Sequence, residues 1–295
     1  MSAQIDLTSV GKVFQVRDDA EKRRREFVAL EDVDLSIGAG EFLTLVGPSG
    51  CGKSTILDLI SGLAESTSGT VSINGTRITG PGLDRSVVFQ QYTLLPWRTA
   101  QGNVELALEA KGGMPRAERA RTALEYLRLV GLDEFANRLP GELSGGMKQR
   151  VAIARSLSTQ PEVLLLDEPF GALDAQTRER LQEELVGIWK RTGTTILFIT
   201  HDIEEAVFLG QRVAVMSARP GRIREVIDIR LDRSGAGEQD LRGTDAFARY
   251  RHQIWNLLRQ RTEEHSNEHG NEHGNEHGNE HGNEQGRHEE VASVA

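Results

Sequence analysis

Glu41-Phe42-Leu43-Thr44-Leu45-Val46 runs straight into Gly47-Pro48-Ser49-Gly50-Cys51-Gly52-Lys53-Ser54. The apolar run reads as a buried strand. Beyond it, Ile56, Leu59, Ile60 and Leu63 fall at helical spacing over Thr55–Leu63. Strand, glycine loop, Lys-Ser and helix are the context that G-x-x-x-x-G-K-[ST] requires, and a plain Gly-rich turn has no need of the Lys-Ser pair. Glycines let the backbone bend until consecutive N–H groups converge on phosphate oxygens. The helix N-terminus adds partial positive charge. Lys53 suits the β- and γ-phosphates and Ser54 suits Mg²⁺. Gly47, Pro48, Ser49, Gly50, Cys51, Gly52, Lys53, Ser54 and Thr55 are therefore the candidate residues for ATP. Cys51 reads as a small residue in a crowded loop, not as a nucleophile.

A second apolar run, Val163-Leu164-Leu165-Leu166, ends in Asp167-Glu168. In an open parallel sheet, ligands bind beyond the carboxyl ends of strands. Asp167 suits the Mg²⁺ shell, and Glu168 suits the role of general base for an attacking water. Thr195–Thr200 and Arg212–Met216 read as further buried strands. Strands alternating with helices imply an α/β fold with a largely parallel sheet. Residues 93–158 are mostly helical by pattern and sit between sheet regions, as an inserted helical subdomain would. Arg17–Glu26 is polar, mixed in charge and without apolar periodicity, and reads as a surface loop between two early strands. Asp245–Arg261 puts Phe247, Tyr250, Ile254 and Leu258 on one face, as a docked amphipathic helix does.

Composition narrows the class. No apolar run approaches the ~20 residues of a membrane span, and Met1–Val10 lacks the core of a signal peptide. Cys51 is the only cysteine, which suits a reducing compartment. The net charge is −9, and nine Glu against one Arg from Glu263 onward hold −8 of it. The rest is nearly neutral, so no basic surface for nucleic acid is expected. Residues 267–286 read NEHG four times and then NEQG. Such a segment lacks the apolar surface to offset ordering, so 263–295 is expected to be disordered. Six histidines lie there, but Gly at the same period disfavours the helix that would align them for Zn²⁺ or Ni²⁺.

Leu143-Ser144-Gly145-Gly146-Met147-Lys148-Gln149-Arg150 resembles the LSGGQ signature of ABC (ATP-binding cassette) ATPases, with Met147 where Gln is more common. Ser144 is a good N-cap, and the glycines open a helix whose end can receive a γ-phosphate. The other motifs of that family follow in order. Gln90 in Val88-Phe89-Gln90 matches the Q-loop glutamine, which also reaches the Mg²⁺ shell. Asp174 in Gly171-Ala172-Leu173-Asp174 matches the D-loop, and His201 in Ile199-Thr200-His201-Asp202 matches the switch histidine. Phe14 matches the aromatic that stacks on adenine. The resemblance covers about residues 5–230. It implies a P-loop NTPase fold with a largely parallel core sheet, an antiparallel β subdomain and an inserted helical subdomain. It also implies ATP and Mg²⁺ as cofactors, with Glu168, His201, Gln90 and Lys53 in catalysis.

In this family one chain's Ser144, Gly145 and Gly146 complete the ATP site of another. The resemblance therefore implies a dimer of this chain on two transmembrane permease subunits, at the cytoplasmic face of the cell membrane. An extracytoplasmic solute-binding protein would act with them. The wording Gly80-Pro81-Gly82, Leu94-Leu95-Pro96-Trp97-Arg98 and His201-Asp202-Ile203-Glu204-Glu205-Ala206-Val207 looks like importers of nitrate, sulfonates and taurine, taurine most of all. The expected division is 1–232 for the cassette, 233–262 for a helical extension and 263–295 for the tail. A soluble ABC ATPase of DNA repair or translation is the rival reading, and the chain lacks the inserted coiled coil or tandem cassette that those carry.

Overall fold

A computed structural model of the chain describes residues 2–18, 23–231 and 241–268. Residues 17, 18, 23, 24 and 260–268 are described by their backbone only. The strands are β1 (Ile5–Asp18), β2 (Arg23–Ile37), β3 (Phe42–Val46), β4 (Ser68–Ile73), β5 (Thr76–Arg77), β6 (Arg85–Val88), β7 (Val163–Asp167), β8 (Thr195–Thr200), β9 (Arg212–Met216) and β10 (Ile223–Asp228). They form two sheets, one in the order β2-β1-β4-β5 and one in the order β10-β9-β3-β8-β7-β6. The first is antiparallel. The second is parallel except for the β9–β10 pair. The expected α/β architecture is therefore present.

The central parallel strands are mostly apolar and almost fully buried because both their faces are covered. In β3, Leu43 and Leu45 point to α1 (Lys53–Ser61) and the antiparallel sheet, where they join Ile56 and Ile60. Phe42 and Val46 point the other way, toward α5 (Ala175–Thr192) and α6 (Ile203–Leu209). Each such buried side chain contributes about 2 kcal/mol by removal from water. The expected helical subdomain consists of α2 (Ala100–Lys111), α3 (Arg116–Leu129) and α4 (Gly145–Ser158), which share a core of Val104, Leu108, Ala123, Leu127 and Val151.

Two expectations are corrected. Arg17, Asp18 and Arg23–Glu26 are strand and not loop: β1 and β2 pair there, with Arg17 opposite Arg24 and Asp18 opposite Arg23, while 19–22 lie outside the described residues. Here the ribbon has left the core. Val16 and Val28 are exposed, so backbone pairing holds it and no apolar alternation marks it. At the other end, α7 (Asp245–Glu268) carries the helix past residue 262 into the expected tail. The rest of the tail, from 269 on, lies outside the described residues. Phe247 and Ile254 are fully buried, and Tyr250 and Leu258 pack beside them, as the amphipathic pattern required.

Candidate functional site

Four parallel strands end along one edge of the large sheet. After β3 comes the loop Gly47–Ser54; after β6, Gln90; at the end of β7, Asp167 and Glu168; and after β8, His201. Register ties these ends together, with Val46 opposite Thr200 and Asp167 opposite Ile199. The loop itself needs glycine where the chain turns. Gly52 has φ +101°, and a Cβ there would lie 2.5 Å from Leu30 Cδ2. Lys53 is nearly buried, its Nζ donating to Gly47 O at 2.8 Å and Pro48 O at 3.2 Å. The ammonium is thus held against the loop whose N–H groups would face phosphate.

Ser54 Oγ donates to Asp167 Oδ2 at 3.1 Å. Burial pushes the Asp167 carboxyl up, and Glu168 and Asp58 add to that, while Ser54 and Lys53 act against it. A hydroxyl beside a half-buried carboxylate is a hard-oxygen donor pair of the kind Mg²⁺ takes, so the residues fit that ion. Glu168 has φ +44°, an unusual conformation for a side chain of its size, and its N–H donates to Ile199 O at 2.9 Å. This bend turns the carboxylate toward β8, where Oε2 lies 3.0 Å from His201 Nδ1. When the proton is on Nδ1, the ring donates to Glu168 and leaves Nε2 as an acceptor. A carboxylate held in this way can take a proton from water while the imidazole steadies it.

Gln90 lies against the loop after Glu168: a Cβ built on Gly171 would lie 3.7 Å from Gln90 Nε2. Asp174 is the N-cap of α5, accepting from Thr177 N at 3.0 Å. Those backbone bonds hold its carboxyl below the usual range. Ser144 caps α4 by accepting from Met147 N at 3.3 Å. The signature glycines adjoin Tyr92, Leu173 and Thr177. These are neighbours on the D-loop side and not in the phosphate loop, so within one chain Ser144–Gly146 and Gly47–Ser54 are not brought together by any described contact. Phe14 is part-exposed, with Lys12 Nζ 5.0 Å above its ring.

Sequence reasoning missed the outer rim. Phe27, opposite Phe14 in the hairpin, lies 5.3 Å from the Arg219 guanidinium, and Arg219 Nε donates to Gly50 O at 3.2 Å. Gly221 then passes against the back of the loop, where a Cβ would strike Cys51 O. No local pattern announces contacts between residues 27, 50 and 219.

Residues 30–171 match the family described as ABC transporter. The nitrate import ATP-binding protein NrtD of Synechocystis sp. is 48% identical over 264 residues, 88% of this chain and 97% of that one. The taurine import ATP-binding protein TauB of Rhizobium johnstonii is 50% identical, over 78% of this chain and 88% of that one. This chain belongs to the ABC transporter ATP-binding family. Among solved structures, the dimeric MJ0796, a bacterial ABC transporter cassette, superposes with a TM-score of 0.67 at 37% identity. It covers 77% of this chain and 99% of its own. A post-hydrolysis state of the same cassette, bound to ADP and Pi, gives 0.66 at 36%. As an ABC ATPase, the chain is an ATP hydrolase.

Cys51 offers a direct test of the loop. It is buried, and that burial raises its thiol pKa, with Lys53 acting in the opposite sense. A raised pKa means less thiolate at neutral pH. Alkylation by iodoacetamide should be at least about tenfold slower than for a free thiol. The rate should go on climbing with pH above the range where a free thiol levels off. ATP should protect, and alkylated protein should not bind nucleotide. Alkylation at the rate of a free thiol, or full binding afterwards, would contradict the placement of Cys51.

Proposed function

We propose that this chain is the ATP-hydrolysing subunit of an importer for a small anionic or zwitterionic solute, taurine or an aliphatic sulfonate first. Lys53 and the loop N–H groups bind the nucleotide phosphates, and Phe14 at the hairpin takes the adenine. Ser54, Asp167 and Gln90 hold Mg²⁺, which when bound offsets the phosphate charge. Glu168 accepts the proton of the attacking water. His201 orients Glu168 and contacts the γ-phosphate. Asp174 and the Ser144–Gly146 segment act across a dimer, where the latter faces the partner's nucleotide. The observation that carries the chemistry is the 3.0 Å pairing of His201 and Glu168, next to the Ser54–Asp167 bond at the same end of β7.

Import is supported by the relatives named for uptake of nitrate and taurine, and by one named for bicarbonate transport. Nitrate and bicarbonate are therefore the alternative solutes. The chain would sit on the cytoplasmic face of the membrane through two permease subunits fed by an extracytoplasmic solute-binding protein. Among the described residues no helix is long and apolar enough to cross a membrane. Growth with taurine, an alkanesulfonate or nitrate as sole sulfur or nitrogen source, with and without the gene, tests the solute. Unchanged growth on taurine and sulfonate would remove the first choice.

The permease contact in this reading is the loop at Leu95–Thr99, which follows Gln90 in the chain. Asn103 is fully buried. Its amide accepts from Leu95 N at 2.7 Å and donates to the carbonyls of Leu95, Arg98 and Thr99. The loop so fastened presents Trp97, 73% exposed. A large aromatic held rigidly in water is a typical interface anchor. Trp97→Ala should leave the ATPase rate of the isolated chain within about twofold, while solute uptake by the assembled importer falls about tenfold or more. Uptake into vesicles that matches the parent would exclude Trp97 from the contact.

A further inference from the structure

We propose that the C-terminal extension is a positioning element for the switch histidine, acting from Arg242 through Gln182, Glu205 and Thr200. This deepens the reading above, since it rests on His201 taking part in hydrolysis.

Glu205 is a carboxylate 6% exposed, in the first turn of α6 and four residues beyond His201. A buried carboxylate is tolerated only when its oxygens are bonded. Oε2 accepts from the Thr200 hydroxyl, and Oε1 accepts from Gln182 Nε2 at 2.9 Å. Thr200 Oγ1 in turn accepts from Asp202 N at 3.0 Å. His201 is the residue between Thr200 and Asp202, so both its flanking residues are tied to Glu205.

Gln182 is the pivot. Its side chain is an amide that can turn over, exchanging Oε1 for Nε2. Arg242, ahead of α7, donates from Nη2 to Gln182 Oε1. A guanidinium has donors only, so it demands the oxygen and thereby directs Nε2 at Glu205. Without Arg242 the amide oxygen loses this donor, and Gln182 is held only by its N–H bond to Glu205, free to shift and carry the carboxylate with it. Arg242 is itself set firmly, pairing with Glu179 at 2.6 Å and lying 4.6 Å over the Phe208 ring.

Further contacts point the same way. Arg251 of α7 pairs with Glu204 at 2.9 Å, next to the Asp202 cap of α6. Arg178 donates to the D-loop carbonyl of Leu173 at 3.0 Å and stands 3.6 Å from Asp202. A cavity of about 610 Å³ opens between His201 and α7, walled by His252 and Trp255. Phe247 and Ile254 are buried, and Tyr250, Leu257 and Leu258 pack with them, so apolar contacts dock α7. Docking therefore does not require Arg242, whose bonds continue inward to the switch loop.

The test uses the full-length chain. Arg242→Ala should lower kcat for ATP about tenfold through misplacement of His201, with KM for ATP and the thermal midpoint little changed. Arg242→Lys, which keeps one donor toward Gln182, should recover part of kcat. In a cycle with Thr200→Val, the double variant should be no slower than Thr200→Val alone, because both act on one relay. Additive losses, or a kcat within twofold of the parent in Arg242→Ala, would overturn the proposal. So would a parallel decline of kcat, KM and thermal midpoint that Lys does not relieve. His201→Ala is the separate control. If it hydrolyses ATP normally, the reading of the switch histidine fails. If it is inactive while Arg242→Ala is unimpaired, only the relay fails.

Discussion

Glu168→Gln is expected to lower ATP turnover by about 10²–10⁴-fold, the range a positioned general base contributes. The change keeps volume and hydrogen bonding and removes only the basic oxygen. His201 Nδ1 can still donate to the Gln carbonyl, so the 3.0 Å contact survives. Binding should survive as well, because Lys53, Ser54 and Asp167 are untouched. Nucleotide-bound chains would then accumulate in the state that precedes hydrolysis. Size-exclusion chromatography should show a dimer with ATP and a monomer with ADP. A variant that hydrolyses ATP at the parental rate would remove Glu168 from the role of base.

The second large effect concerns the distance between two motifs. Ser144–Gly146 neighbours Tyr92, Leu173 and Thr177 and has no described contact with Gly47–Ser54. If each site is shared, Lys53→Ala and Ser144→Arg should each lose about 10²-fold or more alone, as loss of a phosphate-facing group does. Mixing the two variants should restore activity. In a two-fold dimer, half the pairs would be mixed, and each mixed pair would carry one intact loop opposite one intact signature. That amounts to about a quarter of parental turnover. The check is ATPase rate against mixing ratio. Activity that never rises on mixing would mean that each chain holds a complete site.

The strand edge and its loop were legible because their signals are local. Phe42–Val46 and Val163–Leu166 are buried on both sides and so are apolar but for Thr44, and the glycines of Gly47–Ser54 follow the first at once. The charged strand residues Arg17, Asp18 and Arg23–Glu26 gave no such signal, because their ribbon is held by backbone bonds that every residue type carries. The rim contact of Arg219 with Gly50 and Phe27 joins segments far apart in sequence. The Arg242–Gln182–Glu205 relay does the same. Such pairs need the fold before they have meaning. The extent of α7 was misread for a different reason: the repeat's composition forbids a packed core, yet a helix already anchored by Phe247 and Ile254 continues by propagation, which is easier than nucleation.

Asn103 secures the loop at Leu95–Thr99 through main-chain atoms. Its grip is indifferent to which side chains the tip displays. Position 97 can therefore change character while the strand ends bearing Lys53, Asp167, Glu168 and His201 stay where they are. Relatives sharing about half their residues with this chain are named for three different solutes. With that tip as the proposed permease contact, the motor would be an interchangeable part: refitting it to a new channel would call for a new tip, with the engine left alone.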